Sequence, residues 1–434
     1  MNSNDDTIDR TRRAILGSAA ALGGAALAGC SGNGGNDQTS TTSSTHSSTS
    51  SVSQTSTSAQ TSSGPKPAPD VPVLNYALTL EHLEATFYAQ ALTKFSDSDL
   101  AGANVLSKFG KQVRMDVPKY LKQIRDQEAA HVEAITNTIG KLHGDAVAKA
   151  EYDFGYKTPS GFLKTAAAFE NLGVAAYTGA APKIVNNDVL TAAAGIQSVE
   201  ARHAAFLNLV NGTVPFPTAV EKAKSVNEVL KIAGKYITSQ VDADKFQTGS
   251  NRPKQQRKKP DGTSDIDVLN YALTLEHLEN NFYAMGRQKF SDTQLKNADA
   301  LSSFDDRMVS EVPGYLRTIG QHEAAHVKAI TSTIKKLGGK PVGKAKYDFG
   351  VKTADDFYAT AKAFENLGVA AYKGAAPTVS ADAVFEAAVG IHAVEARHAA
   401  FLNELETTSP FPNAVDKPKT MAQVEKIAGN YISG

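Results

Sequence analysis

The chain has 434 residues, with 45 lysines and arginines balanced by 45 aspartates and glutamates, so its charge gives no reason to expect nucleic acid as a partner. Its single cysteine excludes a disulfide framework, a cysteine-rich zinc site and a rubredoxin-type iron centre.

At the N terminus, Thr11-Arg12-Arg13-Ala14-Ile15-Leu16 precedes an Ala/Gly/Leu run that is short for a bilayer span and ends in Leu27-Ala28-Gly29-Cys30. Paired arginines, an apolar run and a cysteine after small residues, in that order, look like a twin-arginine export signal closed by a lipobox over residues 1–30. The alternative is an ordinary anchor helix. The first reading implies lipid on Cys30, which would hold the protein outside the cytoplasm on the cell membrane. Residues 31–69 are rich in Ser and Thr with few apolar side chains, too few to repay the entropy of folding, and read as a flexible tether.

A tandem repeat follows. Leu74-Asn75-Tyr76-Ala77-Leu78-Thr79-Leu80-Glu81-His82-Leu83-Glu84 returns at Leu269 to Glu279, an offset of 195 residues that also carries the later blocks onto their partners. The repeats cover 70–239 and 265–434, each long enough for its own core. The stretch 240–264 between them is polar, with a basic run from Arg252 to Lys259 that reads as solvated chain.

Within one repeat the first predicted helix covers Val73 to Lys94, with Leu74, Ala77, Glu81, Glu84, Tyr88 and Leu92 on one stripe. After a connector with a short helix beyond Ser96, the second begins at Pro118 and runs to Leu142, its stripe passing through Leu121, Ile124, Glu128, His131 and Ile135. The third opens at the cap Thr158-Pro159, continues through Phe169, Glu170 and Tyr177, and stops at Gly179 and Pro182. The fourth spans Asp188 to Asn211, with Ile196, Val199, Glu200, His203, Phe206, Leu207 and Val210 at steps of three and four. A short fifth helix follows a capping box at Ser225, repeated at Thr420. Strand signals are weak, so the expected fold is all-α: two tandem four-helix bundles, each with a short C-terminal helix.

The acids and histidines fall on the buried stripes, where an ionised carboxylate is costly unless it is paired or holds a metal. Each repeat offers one inward glutamate from its first helix, one from its third, and Glu-x-x-His from its second and fourth. Four carboxylates and two imidazoles from four helices are the donor set of a bundle holding two metal ions. Anionic oxygens offset the charge of two divalent cations, and an oxygen-rich set favours iron or manganese over zinc. A tyrosine seven residues after each single glutamate, Tyr88, Tyr177, Tyr283 and Tyr372, returns to the glutamate's side of the helix as a candidate catalytic phenol. The competing reading is a set of buried ion pairs kept after an ancestral site lost its metal.

Glu170-Asn171-Leu172-Gly173-Val174-Ala175-Ala176-Tyr177 and Val199-Glu200-Ala201-Arg202-His203, with their copies, resemble the ferritin-like di-metal carboxylate superfamily, and within it the exported ferritin-like domain family that includes plant desiccation-related proteins. The resemblance implies Glu81, Glu128, His131, Glu170, Glu200 and His203 as the ligands of one site. It implies Glu276, Glu323, His326, Glu365, Glu395 and His398 as those of a second, with two iron or manganese ions per repeat. The resemblance fixes a site better than a reaction; the first hypothesis is an enzyme with dioxygen or hydrogen peroxide as its small-molecule substrate, the second a non-catalytic protein whose metals cross-link helices and protect the envelope. The departure from the pattern is the long connector, with 39 residues between Tyr88 and Glu128 against 22 between Tyr177 and Glu200.

Several residues stay open at this point. Glu84 and Glu279 read as a seventh carboxylate or, by preference, as partners of a neighbouring lysine or arginine. His82 and His277 read as boundary residues. His322 and His392 lack a histidine counterpart and carry no assigned role. Arg202 and Arg397 each call for an acidic partner that the sequence does not name. Two copies on one chain are expected to pack as an intramolecular pseudo-dimer.

Overall fold

The computed structural model describes residues 66–240, 243–246 and 263–433. The export signal, Cys30, nearly all of the tether and the basic run lie outside the described residues. Among those described, the chain is helical, without strands beyond two isolated bridges, Tyr152 to Ile237 and Tyr347 to Ile432, and no helix is long and apolar enough to cross a membrane.

The first repeat consists of α1 (Val71–Lys94), α2 (Asp97–Ala101), α3 (Lys111–Lys141), α4 (Pro159–Ala180), α5 (Asn187–Val210) and the short α6 (Val226–Ala233). The second repeats the order with α7 (Asp265–Lys289), α8 (Asp292–Lys296), α9 (Asp306–Lys336), α10 (Ala354–Ala375), α11 (Asp382–Leu405) and α12 (Met421–Ala428). In each bundle the first long helix packs along the second and the third along the fourth. The expected all-α pair of four-helix bundles with tail helices is the fold observed.

The local signals act as their chemistry dictates. Thr158 caps α4 by accepting from Gly161 N, and Ser225 and Thr420 form reciprocal capping boxes at α6 and α12. Asp70 at the start of α1 instead accepts from Val185 N and Asn186 N, both at 2.8 Å, tying that helix to the entry of α5.

One boundary differs from the sequence reading. Helix α3 begins at Lys111, and Pro118 lies inside it. Proline suits a first turn, and further in it removes a hydrogen bond and crowds the carbonyl four residues back, yet here Val113 and Val117, both buried, extend the apolar stripe upstream and carry the helix past it. Pro313 sits likewise inside α9, which Asp305 caps. Within 240–264, a turn of 3-10 helix at Ala243–Phe246 rests on α1 and buries Phe246.

The fourth helices of the two repeats pack on each other. Val174, Ala201 and Ala204 meet Val369, Ala393, Ala396 and Ala399 in a layer of small, fully buried side chains. Equivalent positions also touch: Gly110 N donates to Asp305 Oδ2 at 2.7 Å, and His392 Nδ1 lies 3.3 Å from Gln197 Oε1. Helix α5 is consequently buried along nearly all of its circumference, one face toward its own bundle and the other toward α11.

Candidate metal centre

Glu81 projects from α1, Glu128 and His131 from α3, Glu170 from α4, and Glu200 and His203 from α5, all with no exposed surface. Their ligand atoms form two overlapping groups, Glu81, Glu128, His131 and Glu200 beside Glu128, Glu170, Glu200 and His203, each within 4.8 Å. Glu128 and Glu200 belong to both groups and stand between them, with Glu81 and His131 at one end and Glu170 and His203 at the other. Glu276, Glu323, His326, Glu365, Glu395 and His398 repeat the arrangement, so all twelve residues singled out in the sequence converge in two clusters.

The histidines point their Nδ1 atoms inward. His131 Nδ1 lies 3.2 Å from both Glu81 Oε2 and Glu200 Oε1, and His203 Nδ1 lies 2.9 Å from Glu128 Oε1 and 3.2 Å from Glu170 Oε2. The opposite nitrogens find acceptors. His131 Nε2 donates to Ala414 O at 2.6 Å, and His203 Nε2 to Gln127 Oε1 at 2.7 Å. A neutral imidazole whose Nε2 carries the hydrogen presents its Nδ1 lone pair to the acids, as a metal ligand does.

Facing carboxylates, such a lone pair is repelled unless a cation lies between them. Without metal, protons supply that charge. Burial disfavours the charged form of His203, but the Glu170 and Glu128 carboxylates more than offset this and lift it to about 9, and His131 is driven well up in the same way. Burial, with Glu128, Glu170 and Glu81 nearby, holds Glu200 well above the usual carboxylate range, and burial raises Glu81 to about 7. Glu128 is held low because both histidines outweigh its burial.

Two further observations fit metal ions. The buried oxygens lacking a hydrogen bond include Glu200 Oε2, on a residue common to both groups, and Glu395 Oε2 repeats this in the second site. A Cβ at Gly173 would lie 2.8 Å from Glu200 Oε2 and 3.2 Å from Glu84 Oε1, so glycine leaves room for both carboxylates, as Gly368 does in the second site.

The four tyrosines reach the centres as outer partners. Tyr88 OH donates to Glu170 Oε1 and Tyr283 OH to Glu365 Oε1, both at 2.5 Å; Tyr177 and Tyr372 donate to Glu81 and Glu276. Each thus bonds the single glutamate of the facing helix and not that of its own. Burial and these carboxylates push all four phenols well above their ordinary range, so they hold their protons.

The preferred expectation for Glu84 and Glu279 is corrected. Neither forms an ion pair among the described residues; both are buried, and burial followed by Glu200 or Glu395 raises them well above normal. Each is a seventh inward carboxylate beside its cluster. His82 and His277 are half-buried, as boundary residues are.

Residues without an assigned role now have places. His322 occupies the position equivalent to Gln127, with its Nδ1 3.1 Å from His398 Nε2, and His392 that equivalent to Gln197. Arg202 Nε donates to Asp416 Oδ2 at 2.8 Å, and Arg397 Nη2 to Glu221 Oε2 at 2.9 Å. Sequence reading missed Gln127, although its exchange for histidine at the 195-residue offset marks a position facing the site. It also missed Ala414 and Phe411, which nothing in the local pattern connects to a site in the other repeat.

Fold and donor set together define a carboxylate–histidine four-helix-bundle protein, with clusters suited to metal ions. The ferritin-like domain family matches residues 69–213 and 264–408, and the chain belongs to that family. The chain is also similar to Protein rds1 of Schizosaccharomyces pombe, at 26% identity over 154 residues. The match covers 35% of this chain and 35% of that protein, about a third of the relative's length.

Proposed function

We propose that each repeat holds a di-iron or di-manganese centre that reacts with dioxygen or hydrogen peroxide, and that the protein works outside the cytoplasm on a lipid tether at Cys30. The observation that carries the reading is the sharing of Glu128 and Glu200, and of Glu323 and Glu395, between two adjacent ligand groups. Two redox-active ions side by side supply a two-electron couple matched to a peroxide bond.

The chain's own residues do the rest. Glu81 with His131 would hold one ion and Glu170 with His203 the other, and Glu128 and Glu200, which belong to both groups, would contribute carboxylate charge to each. Tyr177 and Tyr88 fix one oxygen of each end glutamate. The complete burial of the six donors keeps bulk water out. Glu84, raised well above the usual carboxylate range by burial and then by Glu200, would be placed to supply a proton beside Glu200.

Disproportionation of peroxide is the favoured reaction. One peroxide is oxidised to dioxygen and a second is reduced to water, so the cycle balances without the external electron donor that a peroxidase requires. Twin-arginine export of folded cargo would let the metal be chosen in the cytoplasm, before zinc or copper compete outside. The second reading, a stress-protective envelope protein whose metals only cross-link helices, draws on the same buried clusters.

The test is to load the metal-free chain anaerobically with Mn(II) or Fe(II) and follow peroxide in an oxygen electrode. We expect dioxygen release that is abolished by combining Glu200→Ala with Glu395→Ala. Stoichiometric metal without turnover of peroxide or dioxygen would instead select the structural reading.

A further inference from the structure

We propose that each repeat positions the metal-binding histidines of the other, so that the segment after α11 is a working part of the first site and the segment after α5 a working part of the second. The inference rests on the metal-site reading above.

Four contacts join residues 411–416 to the first site. Ala414 O takes the Nε2 hydrogen of His131 at 2.6 Å. The Phe411 ring stands edge-on to His203, with centroids 4.8 Å apart and planes at 87°. Phe411 O accepts at 2.8 Å from Gln127, whose Oε1 holds His203 Nε2. Asp416 grips Arg202, on the same turn of α5 as Glu200 and His203.

The second site repeats the pattern with residues 216–221. Ala219 O accepts from His326 Nε2 at 2.6 Å, the Phe216 ring lies 5.0 Å from His398 at 86°, and Glu221 accepts from Arg397. Both segments are pinned where they cross: Asp416 N donates to Gly195 O and Glu221 N to Gly390 O. A side chain at either glycine would clash with its neighbours, Lys373 and Val415 at Gly195 and the Glu221 backbone at Gly390.

The chemistry follows from which imidazole nitrogen bears the hydrogen. His131 can offer a lone pair from Nδ1 only while an acceptor outside the cluster keeps the hydrogen on Nε2. In this protein that acceptor is a backbone carbonyl from the opposite repeat. The ring of Phe411 fixes the plane of His203 from the same side. Among the described residues, the acceptor at His131 Nε2 and the ring edge-on to His203 both come from the second repeat, while Gln127, the first repeat's own acceptor at His203 Nε2, is itself held by Phe411 O.

The test uses the full chain in two backgrounds, one keeping only the first site (Glu323→Ala with His326→Ala) and one keeping only the second (Glu128→Ala with His131→Ala). Binding of Mn(II) is read from loss of the free-ion electron paramagnetic resonance signal. Phe411→Ala is expected to weaken binding about 10–100-fold in the first background and to leave the second unchanged. Phe216→Ala is expected to do the reverse. Equal weakening of both sites by either variant would show general loosening and overturn the proposal, as would no effect of either. Failure of the metal reading itself looks different, since neither background would then bind Mn(II) before any loop residue is changed.

Discussion

At the scale of single residues, metal uptake depends on where protons reside before metal enters. His203, lifted to about 9, and Glu81, lifted to about 7, share a sealed cluster with Glu200, which is also raised. Metal needs the imidazoles neutral and the carboxylates ionised, so the metal-free form binds more protons than the loaded form. The sign follows: uptake releases protons, and apparent affinity rises with pH from about 6 to about 9. Calorimetric titration with Mn(II) in buffers of different ionisation enthalpy checks this; affinity independent of pH across that window would contradict it. The inward direction of Glu128, His131, Glu200 and His203 was legible because helical spacing is a local property, and three residues on a helix fix a shared face. The environment of Glu84 was not, because the same stripe position serves a carboxylate beside a metal or one paired with a lysine, and only the packing of α1 against α4 across Gly173 distinguishes them.

At the scale of the element, close approach decides where the third helix of each repeat meets the tail that follows the fourth. Gly179 lies in the last turn of α4, where a Cβ would overlap Lys224 O while Lys224 N donates to Ala175 O at 3.0 Å. Gly374 meets Lys419 in the same way, with Lys419 N on Ala370 O. Gly179→Ala and Gly374→Ala are each expected to cost about 1–3 kcal/mol by forcing the segment before α6 or α12 away. Urea unfolding of the metal-free chain measures it; midpoints unchanged from the parent would show that the segment yields freely. Caps and apolar stripes gave the helices and most of their limits from sequence, since Thr158, Ser225 and Thr420 act on neighbours three residues away. The start of α3 was misplaced because proline at a first turn is a preference and not a rule, and the burial of Val113 and Val117 that overrides it comes from tertiary contact.

At the scale of the whole molecule, the two bundles share more than an apolar layer. Arg202, on the α5 turn that carries Glu200 and His203, donates through Nη2 to Asn366 at 3.0 Å, and Asn366 adjoins Glu365 of the second site. Arg397 donates to Asn171 at 3.0 Å, and Asn171 adjoins Glu170 of the first. The ligand helix of each centre is thereby bonded to the residue beside a ligand of the other. None of this was readable along the sequence, because the partners lie 164 and 226 residues apart and leave no periodic trace. The 195-residue duplication does show that two equivalent surfaces exist on one chain, but not which side chains meet.

On the proposed function, each half encloses four acids and two imidazoles because cations belong among them. Elemental analysis of the full chain, purified from its native host under conditions that retain bound metal, tests this most directly. Two iron or manganese ions per repeat are expected, with the first repeat's pair lost in Glu200→Ala and the second repeat's retained. Protein that carries no transition metal from its host and takes up neither Fe(II) nor Mn(II) afterwards would contradict it.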